Sequence, residues 1–120
     1  MAPQDSPSLF EIEPVGPVTV ARFTHDVVLS GQRADAVGKQ LGDLLGEPCR
    51  QRLLLDFTNV TSLSSHMLSK LVLLNRRAES LGGRLALCNM RPDVLGIFEV
   101  TRLTLVLNIY PGEEEALQSF

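Results

Sequence analysis

The sequence predicts an α/β domain: an open mixed sheet, built from an N-terminal hairpin followed by parallel strands, with about four helices. Three observations predict it. Apolar runs of strand length alternate with stretches in which apolar residues recur every three or four positions. The first two runs break that alternation, being separated only by Gly16 and Pro17, the mark of a hairpin. Two later runs, RLLLDF (52–57) and RLALCNM (84–90), are apolar without polar alternation, as strands covered on both faces are. Strands separated by helices need crossovers, so the sheet is mainly parallel and the hairpin supplies its antiparallel member.

Residues 1–7 hold Pro3, Pro7 and small polar residues and read as a flexible tail ahead of a single domain spanning 8–120. LFEIEPV (9–15) and VTVARFT (18–24) are the hairpin strands. HDVVLSG (25–31) reads as loop. RADAVGKQLGDLLG (33–46) places Val37, Leu41, Leu44 and Leu45 at helical spacing, against the cost of Gly38 and Gly42, each about 1 kcal/mol relative to alanine. Pro48 stops that helix. RLLLDF follows as a central strand, and a turn leads to a helix from about Ser65 to Leu81, with Met67, Leu71, Leu74, Ala78 and Leu81 on its buried face. Gly82 and Gly83 offer a stop. RLALCNM is the next strand, and PDVLGIFEV (92–100) is a helix with proline at its first position. LTLVLNIY (103–110) contains a fourth buried strand, and GEEEALQSF (112–120) is a short acidic helix whose Glu113–Glu115 run suits the positive end of the helix dipole.

Composition bounds the function. The chain has 120 residues, one domain's worth, and 44% are hydrophobic, enough for a core rather than a disordered chain. The net charge of −3 disfavours electrostatic binding of nucleic acid or anionic lipid and suits a basic partner surface. Cys49 and Cys88 come with no CxxC and no histidine cluster, so they read as reduced thiols and no metal site is expected. MAPQDSPSLF has neither a basic n-region nor an apolar h-region, and no apolar run approaches a membrane span, so the expected localisation is cytoplasmic.

The chemistry concentrates in the turn after LLLDF, where Ser64 and Ser65 precede His66 at the mouth of a helix. In an open parallel sheet the working surface lies beyond the carboxyl ends of the strands, and this turn is at such an end. Three readings stand. A serine before a helix caps a free backbone N–H, worth about 1 kcal/mol. A serine nucleophile needs a base and an oxyanion site, but His66 points about 100° away from Ser65 on a helix and there is no GxSxG elbow. A phosphoserine at a helix N-terminus meets unpaired N–H groups and the positive dipole end.

The stretch 52–110 resembles the STAS domain of bacterial anti-sigma factor antagonists. The resemblance rests on LLLDFTNV, then SLSSHMLSKLVLLNRRAESLGGRLALCN, then RPDVLGIFEVTRLTLVLNIY. These match a family pattern of an apolar strand ending in Asp, an Asp-Ser-Ser-Gly turn, an apolar helix, Gly-Gly, an Arg-Pro helix and a Thr-x-Leu link. The rest of the chain agrees in element order. The resemblance places the family's phosphorylated serine on Ser65, with Ser64 the second choice. The family's preceding aspartate falls on Ser64, and its second serine and glycine fall on His66 and Met67. THDVVLSGQRADA departs from the family's Leu-Asp-x-x-Thr-Ala pattern.

With Ser65 at zero on the helical wheel, Ser69, Val72, Leu73, Arg76 and Ser80 lie within about 80° of it. Leu73 is an apolar residue amid a solvated arc. It reads either as an ordinary surface leucine or as a docking anchor with Arg76 as rim charge, and the resemblance, in which this helix start meets the kinase, implies docking. The expected partner surface is Ser64, Ser65, His66, Ser69, Val72, Leu73 and Arg76, bordered by His25 and Asp26. Asp56 reads as a strand-end polar residue rather than a base or metal ligand, and Cys88 as a core thiol. The resemblance implies a binding module, not an enzyme, with no cofactor. It would sequester an anti-sigma factor serine kinase and free a sigma factor, be released when that kinase phosphorylates Ser65, and be restored by a phosphatase. The net charge and the absence of a long apolar run add the expectation of no direct contact with nucleic acid and no membrane span. The alternative is a STAS scaffold subunit of a larger stress-signalling or lipid-transport assembly, without a phospho-switch.

Overall fold

The computed structural model describes residues 10–24, 26–48 and 50–120. The expected tail at 1–7, together with His25 and Cys49, lies outside the described residues.

The hairpin forms from β1 (Phe10–Val15) and β2 (Val18–Phe23), paired antiparallel from Phe10↔Phe23 to Val15↔Val18. Gly16 turns it at φ 60°, the left-handed geometry that a two-residue loop requires. The chain then runs through β3 (Val27–Leu29), α1 (Gly31–Leu45), β4 (Arg52–Asp56), β5 (Val60–Leu63), α2 (Ser65–Ser80) and β6 (Arg84–Cys88). It ends with α3 (Pro92–Val100), a 3-10 turn (Leu103–Leu105), β7 (Asn108–Tyr110) and α4 (Glu113–Gln118). The main sheet has the order β1-β2-β4-β6-β7, with every pair after the hairpin parallel.

The apolar strands explain the layering. Side chains alternate across a strand, so Leu53 and Leu55 of β4 and Leu85 and Leu87 of β6 enter the larger core under α1, α2 and α3. Leu54, Ala86 and Cys88 enter a smaller core on the opposite face, closed by Ala116 of α4. Each leucine buried in this way contributes about 1.5–3 kcal/mol. The edge-to-face chain Phe10–Phe23–Phe57–Phe98 crosses the larger core at centroid spacings of 6.0, 5.8 and 6.3 Å.

Gly38 and Gly42, costly to α1 by propensity, lie on the side of α1 that faces Lys70 and Leu74 of α2 and let the two helices approach. At the end of α2, Gly82 takes φ 80°; Gly83 N–H donates to Ala78 O at 2.8 Å and Gly82 N–H to Glu79 O at 3.0 Å, a Schellman motif.

Four expectations need correction. HDVVLSG is not all loop and the 58–64 turn is not all turn: Val27–Leu29 and Val60–Leu63 pair in parallel as a separate two-stranded ribbon. Leu81 is not on the buried face of α2; the helix ends at Ser80 and Leu81 is 44% exposed. The strand contained in 103–110 is Asn108–Tyr110, and it is half-buried rather than buried; Leu103–Leu105 before it form a 3-10 helix that follows Arg102 at φ 61°.

Candidate functional site

The ribbon of β3 and β5 builds the site. The two strands run in parallel, β3 leads into α1 and β5 leads into α2, so both helices begin side by side at the same end of the fold. Ser64 N–H donates to Leu29 O at 3.0 Å and locks the two exits together.

Ser64 is the N-cap of α2, with extended backbone (φ −89°, ψ 165°), and its Oγ accepts the Met67 N–H at 3.3 Å. Its carbonyl accepts the Leu68 N–H at 3.1 Å. Capping therefore falls to the first serine. Ser65 is the first helical residue, exposed, and its hydroxyl has no hydrogen-bond partner among the described residues. Its carbonyl accepts the Ser69 hydroxyl at 3.2 Å.

His66 turns away from Ser65 and onto α1, where its Nε2 lies 2.7 Å from Asp35 Oδ1. An ionised carboxylate only accepts, so Nε2 carries the proton in this contact. Lys70 Nζ reaches the same oxygen at 3.2 Å. The hydrogen bond from His66, and after it that from Lys70, holds the Asp35 carboxyl below the ordinary aspartate range. Asp35 and Lys70 stand outside the residues that sequence reasoning singled out. Asp35 lies 31 positions before His66, and the parallel ribbon together with the packing of α1 on α2 brings them together.

Further along α2, Ser69 and Arg76 are exposed and Val72 is half-buried. Leu73 is 62% exposed. It borders a shallow groove of about 160 Å³ between α1 and α2, lined also by Gly38, Lys70, Leu74 and Arg77. Arg76 makes no ion pair among the described residues. Asp26, at the entry of β3, pairs with Arg91 at 3.1 Å, and Arg91 also donates to Thr58 O at 3.1 Å. That entry is the end of the ribbon opposite Ser65, about 10 Å away at the rise of a strand. The structure thus brings Ser64, Ser65, His66, Ser69, Leu73 and Arg76 onto one helix and places Asp26 at a separate corner.

Asp56 ends β4 as a turn-closing group: Oδ1 accepts Thr58 N–H at 2.9 Å and Thr58 Oγ1–H at 2.5 Å, and Oδ2 lies 3.5 Å from Arg22 Nε. Arg22 also binds Glu13 and, at 2.6 Å, Glu113, which ties α4 to the sheet. Burial pushes the Cys88 thiol up to about 12, so it stays a protonated core group. Among the described residues no three or more His, Cys, Asp or Glu side chains converge as a metal site. Nor is any described helix long and apolar enough to cross a membrane.

The family model described as STAS domain matches residues 11–116. The chain superposes on the Thermotoga maritima protein TM1081 with a TM-score of 0.82 at 22% identity, covering 92% of each chain. An anti-sigma-factor antagonist (STAS) domain protein from Planctomyces limnophilus gives 0.78 at 22% identity, over 92% of this chain and 96% of that one. The anti-sigma factor antagonist SpoIIAA in its unphosphorylated form gives 0.74 at 20% identity, over 92% and 94%. The Bacillus cell fate determinant SpoIIAA in the phosphorylated form gives 0.66 at 19% identity, over 92% and 97%. No curated protein matches the chain.

Proposed function

The chain belongs to the STAS domain family, and from that premise we propose that it is an anti-sigma factor antagonist switched by phosphorylation of Ser65. The observation that carries the reading is the division of labour at the start of α2. Ser64 holds the cap, so Ser65 presents an unbonded hydroxyl at the helix mouth. A phosphate there meets the free N–H groups and positive dipole end of the helix, so the fold tolerates the modified state. SpoIIAA, known in both phosphorylation states, supports the comparison by its fold.

The protein works as a binding module rather than an enzyme. In its unmodified form it docks an anti-sigma serine kinase through Ser65, Ser69, Leu73 and Arg76, with Leu73 as anchor, and a sigma factor is freed. The kinase then phosphorylates Ser65, adding about −1.5 to −2 charges. An unpaired phosphate trapped in the interface costs several kcal/mol, and about 4 kcal/mol is a thousandfold in affinity. A phosphatase returns the module to its binding form.

The test is phosphorylation by a cognate anti-sigma serine kinase with ATP, mapped by mass spectrometry. Wild-type protein should be modified at Ser65, Ser65→Ala should not be modified, and Ser65→Asp should lose affinity for the kinase by about a thousandfold. Phosphate on Ser64 with Ser65 unmodified would move the switch by one residue. No modification at either serine would end the reading in favour of a scaffold subunit.

A further inference from the structure

We propose that the groove between α1 and α2 seats an acidic segment of the kinase: an apolar side chain of that segment rests on Leu73 and Leu74, and its carboxylates meet Arg76 and Arg77. The proposal rests on the reading of α2 as the docking ridge given above and adds the chemistry of what docks there.

The groove is apolar between two cations. At one end the Lys70 stem lies against α1, where a Cβ on Gly38 would stand 2.8 Å from Lys70 Cδ. At the other the Arg77 guanidinium reaches the end of α1, where a Cβ on Gly46 would stand 3.4 Å from Arg77 Nη2. Leu73 and Leu74 come between these two in sequence and line the same groove, Leu73 largely exposed. The volume of about 160 Å³ is well below the roughly 300–1,000 Å³ of small-molecule sites, so the groove suits one anchoring side chain of a protein partner.

Charge selects the partner. The net charge of −3 favours a basic surface, but at the groove the balance has the opposite sign. On the two helices Arg33, Lys39, Lys70, Arg76 and Arg77 outnumber Asp35, Asp43 and Glu79. Two of those acids are engaged within the fold, Asp43 by Lys39 at 3.3 Å and Asp35 by Lys70 at 3.2 Å. Arg76 and Arg77 are exposed and make no ion pair among the described residues. The surplus of acid lies elsewhere, with Glu11 and Glu13 on the edge strand β1 and Glu113–Glu115 on α4, across the sheet from α1 and α2. Incoming carboxylates therefore find two unpaired cations beside an exposed leucine, where a basic segment meets repulsion.

The test is calorimetric titration of the full chain with a cognate anti-sigma serine kinase, using two variants that lower the net charge equally on opposite faces. Arg77→Gln should weaken binding about tenfold and flatten its dependence on salt. Gln118→Glu, at the exposed end of α4, should change affinity less than about twofold. Arg77→Lys, which keeps the charge, should stay within about threefold of the wild type, and none of the three should shift the melting temperature. Unchanged affinity in Arg77→Gln overturns the inference. So does tighter binding by Arg77→Gln, which would assign the groove to a basic segment. An equal loss from Arg77→Gln and Gln118→Glu overturns it in favour of net charge alone, and an equal loss from Arg77→Gln and Arg77→Lys in favour of guanidinium packing. A wild-type dimer in sedimentation that Leu73→Ala dissolves overturns it as well, because the groove then holds a second copy. None of these outcomes touches Ser65 as the acceptor, a reading that fails separately when bound kinase and ATP leave Ser65 unmodified. Wild-type protein that the kinase does not bind overturns both.

Discussion

Gly83 stands so close to Gln51 that a Cβ on it would overlap the Gln51 carbonyl oxygen and lie 2.5 Å from the carbonyl carbon. The approach is where β6 begins to pair with β4, and the next residue, Arg84, donates its N–H to that same carbonyl at 2.9 Å. Backbone cannot yield as a side chain can, so Gly83→Ala should cost about 3 kcal/mol by overpacking. Gly38 is the contrast. Its added methyl meets only the Lys70 stem, which can swing away. The gain in helix propensity, up to about 1 kcal/mol, offsets the displacement, so Gly38→Ala should leave stability within about 0.5 kcal/mol. Urea unfolding of both variants checks the pair. Equal effects would mean that the two helices and the two strands are packed differently from the arrangement described.

The two serines at the mouth of α2 should separate cleanly in stability. Ser64→Ala removes the acceptor for the Met67 N–H and should cost about 1 kcal/mol. Ser65→Ala removes an unbonded hydroxyl from an exposed helical position and should change stability by less than about 0.5 kcal/mol. A larger loss from Ser65→Ala would identify Ser65 as the cap and shift the helix start by one residue.

What the sequence made legible, and what it did not, divides by the range of the interaction. The buried face of α2 from Met67 to Ala78 is a periodicity within one helix and reads directly from spacing. The Leu53–Leu55 run reads as a strand because both its faces are covered. The ribbon of β3 and β5 escaped, since strands of three and four residues carry almost no periodic signal and exist only because they pair with each other. Its inside-outside alternation, with Val27 and Leu29 buried around an exposed Val28, is the trace it left. That one of Ser64 and Ser65 caps α2 was legible because a cap is a local feature, whereas the choice of Ser65 as acceptor came from the family resemblance alone. The Asp35–His66 contact was not legible, because it depends on that unread ribbon and on the packing of α1 on α2.

The Asp35 carboxyl should titrate below the ordinary aspartate range, and its partners should account for the depression in a set order. His66→Asn should move its midpoint upward more than Lys70→Ala, since the His66 hydrogen bond is the larger influence. The sign is that of a depressed acid: the contact is complete above the unfolded-state pKa and is lost as pH falls through the lower folded-state value. Carbon-detected NMR of the side-chain carboxyl follows both variants. A midpoint indifferent to His66→Asn would show that the imidazole does not bind Asp35 in solution.

Asn75 is a polar residue inside α2, 3% exposed, whose Nδ2 donates to Val106 O at 3.4 Å while Oδ1 has no partner among the described residues. It fastens the chain after the 3-10 turn to the central helix. Asn75→Asp conserves the shape but puts a carboxylate oxygen against that carbonyl. The variant should lose about 3 kcal/mol at neutral pH, where the buried acid is charged or must take up a proton. Burial raises such an acid's pKa, so the penalty should shrink as pH falls through that raised value. Unfolding free energies of wild type and variant between neutral and acid pH test this. A penalty that does not shrink in acid would mean that the lost donor, rather than the charge, dominates.

Leu73 decides whether the exposed ridge of α2 is an interface. At 62% exposure it contributes little to the core, so Leu73→Ala should leave the melting temperature unchanged. If the ridge docks the kinase, the same change removes the anchor beside the α1–α2 groove. It should then cost about 2 kcal/mol in affinity, roughly thirtyfold. Arg76 is a rim charge without an ion pair among the described residues, so Arg76→Ala should act mainly on the association rate, more strongly at low salt. Calorimetric titration and stopped-flow binding against the identified partner separate these effects. Full affinity with Leu73→Ala would remove this ridge from the interface and leave docking to the helix mouth alone. A clear drop in melting temperature would make Leu73 a packing residue, and its loss of affinity could no longer be assigned to contact with the partner.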